Sequence, residues 1–207
     1  MEKLDLRKQF KLLYTASAKK VGVVDVPALN FVMIDGAIEP GSSPGTSSLF
    51  QENIQALYGV AYTLKFKIKL RPEEPVDYPV MALEGLWWVE GGQFDISKPG
   101  NWIYTLMIMQ PDCVNVEDFQ EAHTQLCKKK PSPAIDRLRF ERFHEGPSLQ
   151  ILHVGPYSTE PDTLSRMYAF AGESGYTLHG KHHEIYLGNP LRAAPEKLKT
   201  ILRHPIR

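Results

Sequence analysis

Apolar residues recur at Phe50, Ile54, Leu57, Tyr58, Ala61 and Leu64, at intervals of three and four that place one stripe on one face of a helix. Thr46 or Ser47 supplies a capping hydroxyl for its start, and Glu52 lies in its first turns. Ahead of it, the apolar run 30–34 ends at Asp35-Gly36, which is a strand signal. After a linker holding Pro72, Pro75 and Pro79, residues 84–90 and 102–110 are rich in aromatic and β-branched side chains and predict two strands. Gly91-Gly92 and Pro99-Gly100 delimit a hairpin-like loop between them. Leu6, Phe10, Leu13 and Tyr14 stand at helical spacing and predict a lead-in helix within the first 25 residues.

The second half repeats this grammar. A helix over 116–129, with Val116, Phe119, His123 and Leu126 on one face, bridges to it, and Lys128-Lys129-Lys130 marks its solvated C-terminus. Residues 138–144 and 149–154 flank the turn 145–148 and predict a hairpin. Ser158 or Thr159, followed by Glu160-Pro161-Asp162, predicts a helix start, with Leu164, Met167, Tyr168 and Ala171 as its buried stripe and Gly172 to Gly175 as its stop. Residues 182–188 predict a strand ended by Asn189-Pro190. Each half thus offers a long amphipathic helix and two or three strands, the pattern of a duplicated α+β module within one domain over 1–207. Module one covers about 20–112, the linker helix 116–130, and module two about 136–207.

Period-two alternation sorts the strand side chains into faces. Ile185 and Leu187 form an apolar set expected to pack on the helices, leaving His182, Glu184 and Tyr186 on the other face. Ile103, Met107 and Met109 oppose Trp102, Tyr104 and Leu106 in the same way. Along 84–90 each face carries a tryptophan, so alternation does not choose between Trp87 and Trp88. With no spare helix to cover a second apolar face, aromatics beside a few polar groups predict a ligand groove on the face away from the helices. A lone strand glutamate ordinarily faces solvent. Flanked by His182, Tyr186 and bulky rings, Glu184 is instead a candidate for partial desolvation, which raises a carboxyl pKa and suits it to base chemistry or cation pairing.

Composition narrows the function classes. The 24 basic and 24 acidic residues cancel, and no basic stripe is visible, so direct nucleic-acid contact is not expected. No apolar run approaches the roughly 18–20 residues that span a membrane, and the mixed-charge N-terminus lacks a signal-peptide core. Cys113 and Cys127 form neither a disulfide framework nor a CxxC knuckle, and a cytoplasmic location is expected. Adjacent strand histidines face opposite ways, so only His182 and Glu184 converge, too few to hold a metal. The His-Glu-x-x-His pattern fails at Leu187, the loop 41–45 lacks the Lys-Ser/Thr of a P-loop, and no Gly-x-Ser-x-Gly elbow occurs. No metal or cofactor is expected.

Four segments carry a family resemblance: Glu84-Gly85-Leu86-Trp87-Trp88, residues 102–112 ending Met-Gln-Pro-Asp, Leu152-His153-Val154-Gly155-Pro156-Tyr157, and residues 180–190 around Glu184-Ile185-Tyr186. Over roughly residues 20–207 the chain resembles the GyrI-like small-molecule-binding family. The resemblance implies a pseudo-twofold pair of strand-helix-strand-strand modules, with antiparallel sheets around a central ligand cleft. It implies that Glu184 is the central acidic residue, which in sensor members meets lipophilic cations among aromatic rings. Some stand-alone members hydrolyse the strained cyclopropane of DNA-alkylating natural products. On that reading Glu184 activates water, assisted by Glu84 or the Tyr104 hydroxyl, and a planar electrophile stacks on Trp87, Trp88 and Trp102, with Tyr157, His182 and Tyr186 completing the site. Tyr104 stands where close relatives can carry Trp. The alternatives are a non-catalytic drug-sequestering protein and a ligand sensor; a monomer or homodimer fits each.

Overall fold

The computed structural model describes residues 1–92, 94–96, 101–190 and 192–207. The expected lead-in helix is two separate turns, α1 (Leu6–Gln9) and α2 (Lys11–Tyr14), behind a short strand, β1 (Glu2–Lys3). Asp5 caps α1 by accepting from the Arg7 and Lys8 amides. Strands β2 (Gly22–Val26) and β3 (Leu29–Ala37) follow. Helix α3 (Ser48–Leu70) begins where Ser47 Oγ accepts from the Phe50 amide at 3.0 Å, and its stripe buries Leu57, Val60, Ala61, Leu64 and Ile68. Each of its large apolar side chains contributes roughly 1.5–3 kcal/mol on leaving water. Strand β4 (Val76–Asp77) pairs with β1. Strands β5 (Leu83–Trp88) and β6 (Ile103–Gln110) form the predicted hairpin, with Leu83 opposite Ile108 and Trp88 opposite Ile103. Gly91, at φ 66°, lies in its loop, while Pro99 and Gly100 fall outside the described residues.

Helix α4 (Val116–Lys129) starts at a capping box between Asn115 and Asp118 and ends with Lys128 and Lys129 in its last turn. Then come α5 (Pro133–Asp136), β7 (Arg139–Phe143), β8 (Gly146–Val154), α6 (Glu160–Glu173), β9 (His182–Tyr186) and β10 (Lys199–Pro205). The sequence grammar expected residues 138–154 to fold back as a hairpin, and they do not. β7 pairs with β3, and β8 with β2 and β10. Gly146, at φ 75°, bends one long strand rather than reversing it. That bent strand runs antiparallel to the equally bent β2–β3 segment, with Val26 opposite Gly146 and Leu29 opposite Phe143.

The result is an eight-stranded sheet in the order β2-β8-β10-β9-β5-β6-β3-β7, curled into a half-barrel. Its duplication is explicit. Strand β3, helix α3 and the β5–β6 hairpin give the order β5-β6-β3; β8, α6, β9 and β10 give β9-β10-β8. The two units join through antiparallel β5 and β9. Helix α3 packs on β3 and β6 while α6 packs on β8. Hydrogen bonds from Asn53 of α3 to Tyr104 and between Thr163 of α6 and His153 place both helices on one face of the sheet. Register puts Gly85, Trp87, Tyr104, His182, Glu184, Tyr186, Thr200 and His204 on that same face. The aromatic and acidic residues therefore lie on the helix side, between α3 and α6, which corrects the expectation of a groove on the far side. Ile185, expected against the helices, shares the far face with Glu84, His183 and Arg203, where the α1–α2 segment provides the cover. No helix among the described residues is long and apolar enough to cross a membrane.

Gly36 is fixed by close packing on the helix face. A Cβ there would lie 2.3 Å from the Tyr104 hydroxyl oxygen and 2.8 Å from Asn53 Nδ2. Overpacking of this kind costs about 1–3 kcal/mol. Gly36→Ala is accordingly expected to lower the urea midpoint at unchanged m-value, and a midpoint equal to the parent's would show that the Tyr104 ring has room to move.

Candidate functional site

The site forms at the seam of the two units, where Gly85 stands opposite Glu184. A Cβ on residue 85 would sit 2.8 Å from Trp87 Nε1 and 3.2 Å from the Tyr186 hydroxyl. Glycine thus leaves room for the Trp87 indole N–H to donate to the Tyr186 oxygen at 3.0 Å. Glu184 is 6% exposed, and its Oε1 lies 3.2 Å from His182 Nε2. Burial, followed by the charge and hydrogen bond of Glu184, pushes the Tyr186 phenol well above its ordinary value. Tyr157, on the 3-10 turn before α6, meets Tyr186 edge to face at 6.0 Å. Its pKa is pushed up to about 12 by burial and then by Glu184, although the residue is 38% exposed and forms the open side of the cluster.

The first turn of α6 brings a second carboxyl. Glu160 is fully buried, and among the described residues neither of its oxygens has a hydrogen-bond partner. Burial, with the Glu184 charge second, raises its pKa to about 9; the Thr200 hydroxyl offsets this only in part and stands outside hydrogen-bonding geometry. Glu160 therefore keeps its proton at neutral pH. His204 completes this side. Burial, then the neighbouring His182, takes its pKa down to about 4, so it is neutral.

Aromatic rings line the β5–β6 side. Trp87 lies 5.6 Å from Phe50, 5.9 Å from Trp102 and 5.5 Å from Tyr104 between ring centroids. Phe94 contacts Trp102 at 5.3 Å and stacks on His182 at 5.4 Å. The structure therefore brings together Glu184, His182, Tyr186, Tyr157, Trp87 and Trp102 of the residues singled out by sequence.

Three others lie elsewhere. The Tyr104 hydroxyl turns into α3, where it accepts from Asn53 Nδ2 at 2.9 Å, and the charges acting on it are Arg137 and Glu39 rather than Glu184. Its ring backs Trp87, so it supports the wall and does not assist the carboxylate. Glu84 is on the opposite face of the sheet, bound to Tyr14 and His183. Trp88 shares that opposite face, beneath Lys181 Nζ at 3.3 Å from its ring centroid. Glu160, which the chain pattern marks only as an acid at a helix start, joins the cluster at the seam as well. Its burial has a signal in the sequence: it precedes Leu164, Met167 and Ala171 by 4, 7 and 11 positions, on the buried stripe. The polar hollow beside α3 and α4, lined by Lys67, Glu121 and Lys128, contains none of the site residues.

Residues 19–207 match the family model of the GyrI-like small molecule binding domain. An uncharacterized conserved protein from Listeria innocua is 38% identical, with a TM-score of 0.88 and 99% of this chain and 100% of that chain covered. A hydrolase from Listeria innocua is 35% identical, with a TM-score of 0.83 and the same coverage. The C-terminal domain of EcmrR shares the fold at 11% identity, with a TM-score of 0.55 over 91% of this chain and 97% of that one. A comparison with curated proteins finds no match.

Proposed function

The chain belongs to the GyrI-like small-molecule-binding domains, and from that premise we propose that it binds planar, lipophilic or cationic organic molecules at the β5–β9 seam and hydrolyses those bearing a strained cyclopropane. The observation that carries this reading is the pair of buried carboxyls, Glu160 and Glu184, beside a cluster of aromatic rings. Opening a strained carbocycle with water requires a proton to be taken from the water as its oxygen bonds to carbon. It also requires a proton to be given to the fragment that receives the electrons of the broken C–C bond. Glu184 supplies the base and Glu160 the acid, and each such transfer contributes roughly 10²–10⁴-fold. Trp87, Trp102 and Tyr157 hold the plane of the substrate. The likeness to a hydrolase from Listeria innocua along almost the whole chain supports the same reading.

This reading makes the protein a detoxifying hydrolase of the cytoplasm, acting without cofactor or nucleic-acid contact, as a monomer or homodimer. The test is a time course of purified protein with a cyclopropane-bearing alkylating compound, followed by mass spectrometry. A product heavier by one water, formed in proportion to protein, is expected. Intact compound after prolonged incubation would end the hydrolytic reading.

A second reading, sequestration without chemistry, is favoured by the charge of Glu184 among Tyr157, Tyr186 and Trp87. Cation–π attraction of roughly 0.5–2 kcal/mol per ring then supplements the carboxylate. Calorimetry with a cationic dye distinguishes it: unaltered ligand, bound reversibly and lost in Glu184→Ala, is its signature.

A further inference from the structure

Outside the seam, one cluster among the described residues has the chemistry of a metal site. His123 and Cys127 stand one turn apart on α4, so their side chains share a face. Asp136, the last residue of α5, meets them from the adjoining element. Cys127 Sγ lies 3.8 Å from His123 Nδ1, 4.0 Å from His123 Nε2 and 3.8 Å from Asp136 Oδ1, and the three prospective ligand atoms fall within 4.8 Å of one another. Tetrahedral zinc, with bonds of about 2.3 Å to sulfur and 2.0–2.1 Å to nitrogen or oxygen, needs ligand atoms roughly 3.4–3.6 Å apart. The two distances from Cys127 Sγ need a contraction of a few tenths of an ångström, and the exposed Asp136 carboxylate closes the remaining gap to His123, which is at most 4.8 Å, by side-chain rotation.

Proton positions point the same way. His123 Nε2 lies 2.9 Å from the Ile135 carbonyl oxygen, which only accepts, so Nε2 carries the hydrogen. In the neutral ring Nδ1 then presents its lone pair toward Cys127. The carboxylate of Asp136 is also an acceptor, so two acceptors converge on the single S–H proton. A nitrogen lone pair, a thiol and a carboxylate oxygen around one proton form the donor set of a divalent zinc site. The Nε2–H···O=C bond is the outer contact that metal-binding histidines ordinarily make.

We propose that His123 Nδ1, the Cys127 thiolate and an Asp136 carboxylate oxygen bind one zinc ion, with water from the exposed Asp136 side as fourth ligand. Binding replaces the Cys127 S–H bond with a Zn–S bond and releases that proton to solvent. The ion would tie α5 to α4. Next to Asp136, Arg137 Nη2 donates to Asn53 Oδ1 at 2.7 Å, and Asn53 holds the Tyr104 hydroxyl, so the tie ends in the wall behind Trp87.

The probe is cobalt(II), added to the full chain after removal of bound metal with a chelator. The parent and Cys113→Ser are expected to develop the near-ultraviolet thiolate-to-cobalt band at one ion per chain, displaced by one equivalent of zinc. Cys127→Ser should lose the band, while His123→Ala and Asp136→Asn should weaken cobalt binding by at least about tenfold. Asp136 is exposed, so its amide variant tests the site without disturbing the core, and circular dichroism checks the fold of each protein. No band in the parent, an unchanged band in Cys127→Ser, or parental affinity in Asp136→Asn would overturn the assignment.

Discussion

Glu184→Gln is expected to slow ring opening of a cyclopropane-bearing substrate by about 10²–10⁴-fold while leaving the affinity for a neutral planar ligand close to that of the parent. The amide matches the carboxylate in shape and can keep the contacts with His182 Nε2 and the Tyr186 hydroxyl after reorientation, so the stacking surface survives and only the proton acceptor goes. A cationic ligand should behave differently and lose affinity, because the charge itself is removed. Glu160→Gln separates the second role. The raised pKa of Glu160, about 9 against an ordinary 4.5, means that its proton leaves only in alkaline solution. If it donates a proton, the parent's rate falls as pH rises through about 9, and Glu160→Gln shows a lower rate without that alkaline limb. Stability carries the same sign. The folded chain binds a proton that the unfolded chain has lost between about pH 4.5 and 9, so the Glu160 contribution is present in acid and disappears as pH rises through that window. Urea titrations at several pH values should therefore show Glu160→Gln gaining on the parent as pH increases. Full hydrolytic activity in Glu184→Gln would remove the base from the scheme.

These residues also show what the sequence makes legible. Helices α3, α4 and α6 follow from their apolar stripes, and α3 from the Ser47 cap as well, because both signals are written within one turn or a few turns of the chain; the Thr159 hydroxyl read as a cap for α6 makes no capping bond. The position of Glu184 among aromatics follows from alternation within one strand. What alternation lacks is the relation between strands. Glu84 and Glu184 look like natural partners along the chain, but the pairing of Gly85 with Glu184 sets Glu84 opposite Ile185, on the other face. A register shifted by one residue would reverse that. Strand β10 shows no clean alternation because each face mixes apolar and polar side chains: Thr200 and His204 share the seam side with Leu202, and Arg203, 2% exposed in an ionic network, shares the far side with Ile201. The 138–154 segment carries a genuine turn signal at Gly146. Whether that glycine reverses the chain or bends it depends on β3 and β2, more than a hundred residues upstream.

The network on the far face supplies the second large effect: His183→Leu is expected to destabilise the protein by roughly 3–5 kcal/mol, the cost of breaking a buried ion pair by removing one partner. His183 donates from Nε2 to Glu84 at 3.0 Å and from Nδ1 to Glu145 at 3.0 Å, which an imidazolium alone can do. Burial works against that charge, but Glu145 and Glu84 outweigh it and raise the pKa to about 9. Glu145 is itself opposed by burial and held below its ordinary value by His183 and Arg203. Two carboxylates, one imidazolium and one guanidinium thus balance in a region closed off by the N-terminal segment. Tyr14 donates to Glu84 at 2.6 Å, and Arg203 and Gln150 donate to the Leu13 and Leu12 carbonyls at 2.6 and 2.7 Å. Leucine at 183 leaves an excess negative charge under that cover, so the α1–α2 segment should loosen along with the global loss, measurable as faster amide exchange at residues 10–14. Because the folded pKa of His183 is raised, its contribution is complete below about pH 6.5 and is lost as pH climbs through about 9. The parent's advantage over His183→Leu should shrink over that interval. An unfolding free energy within 1 kcal/mol of the parent's at pH 6, with unchanged exchange at Leu13 and Tyr14, would mean that the two carboxylates do not depend on the ring between them.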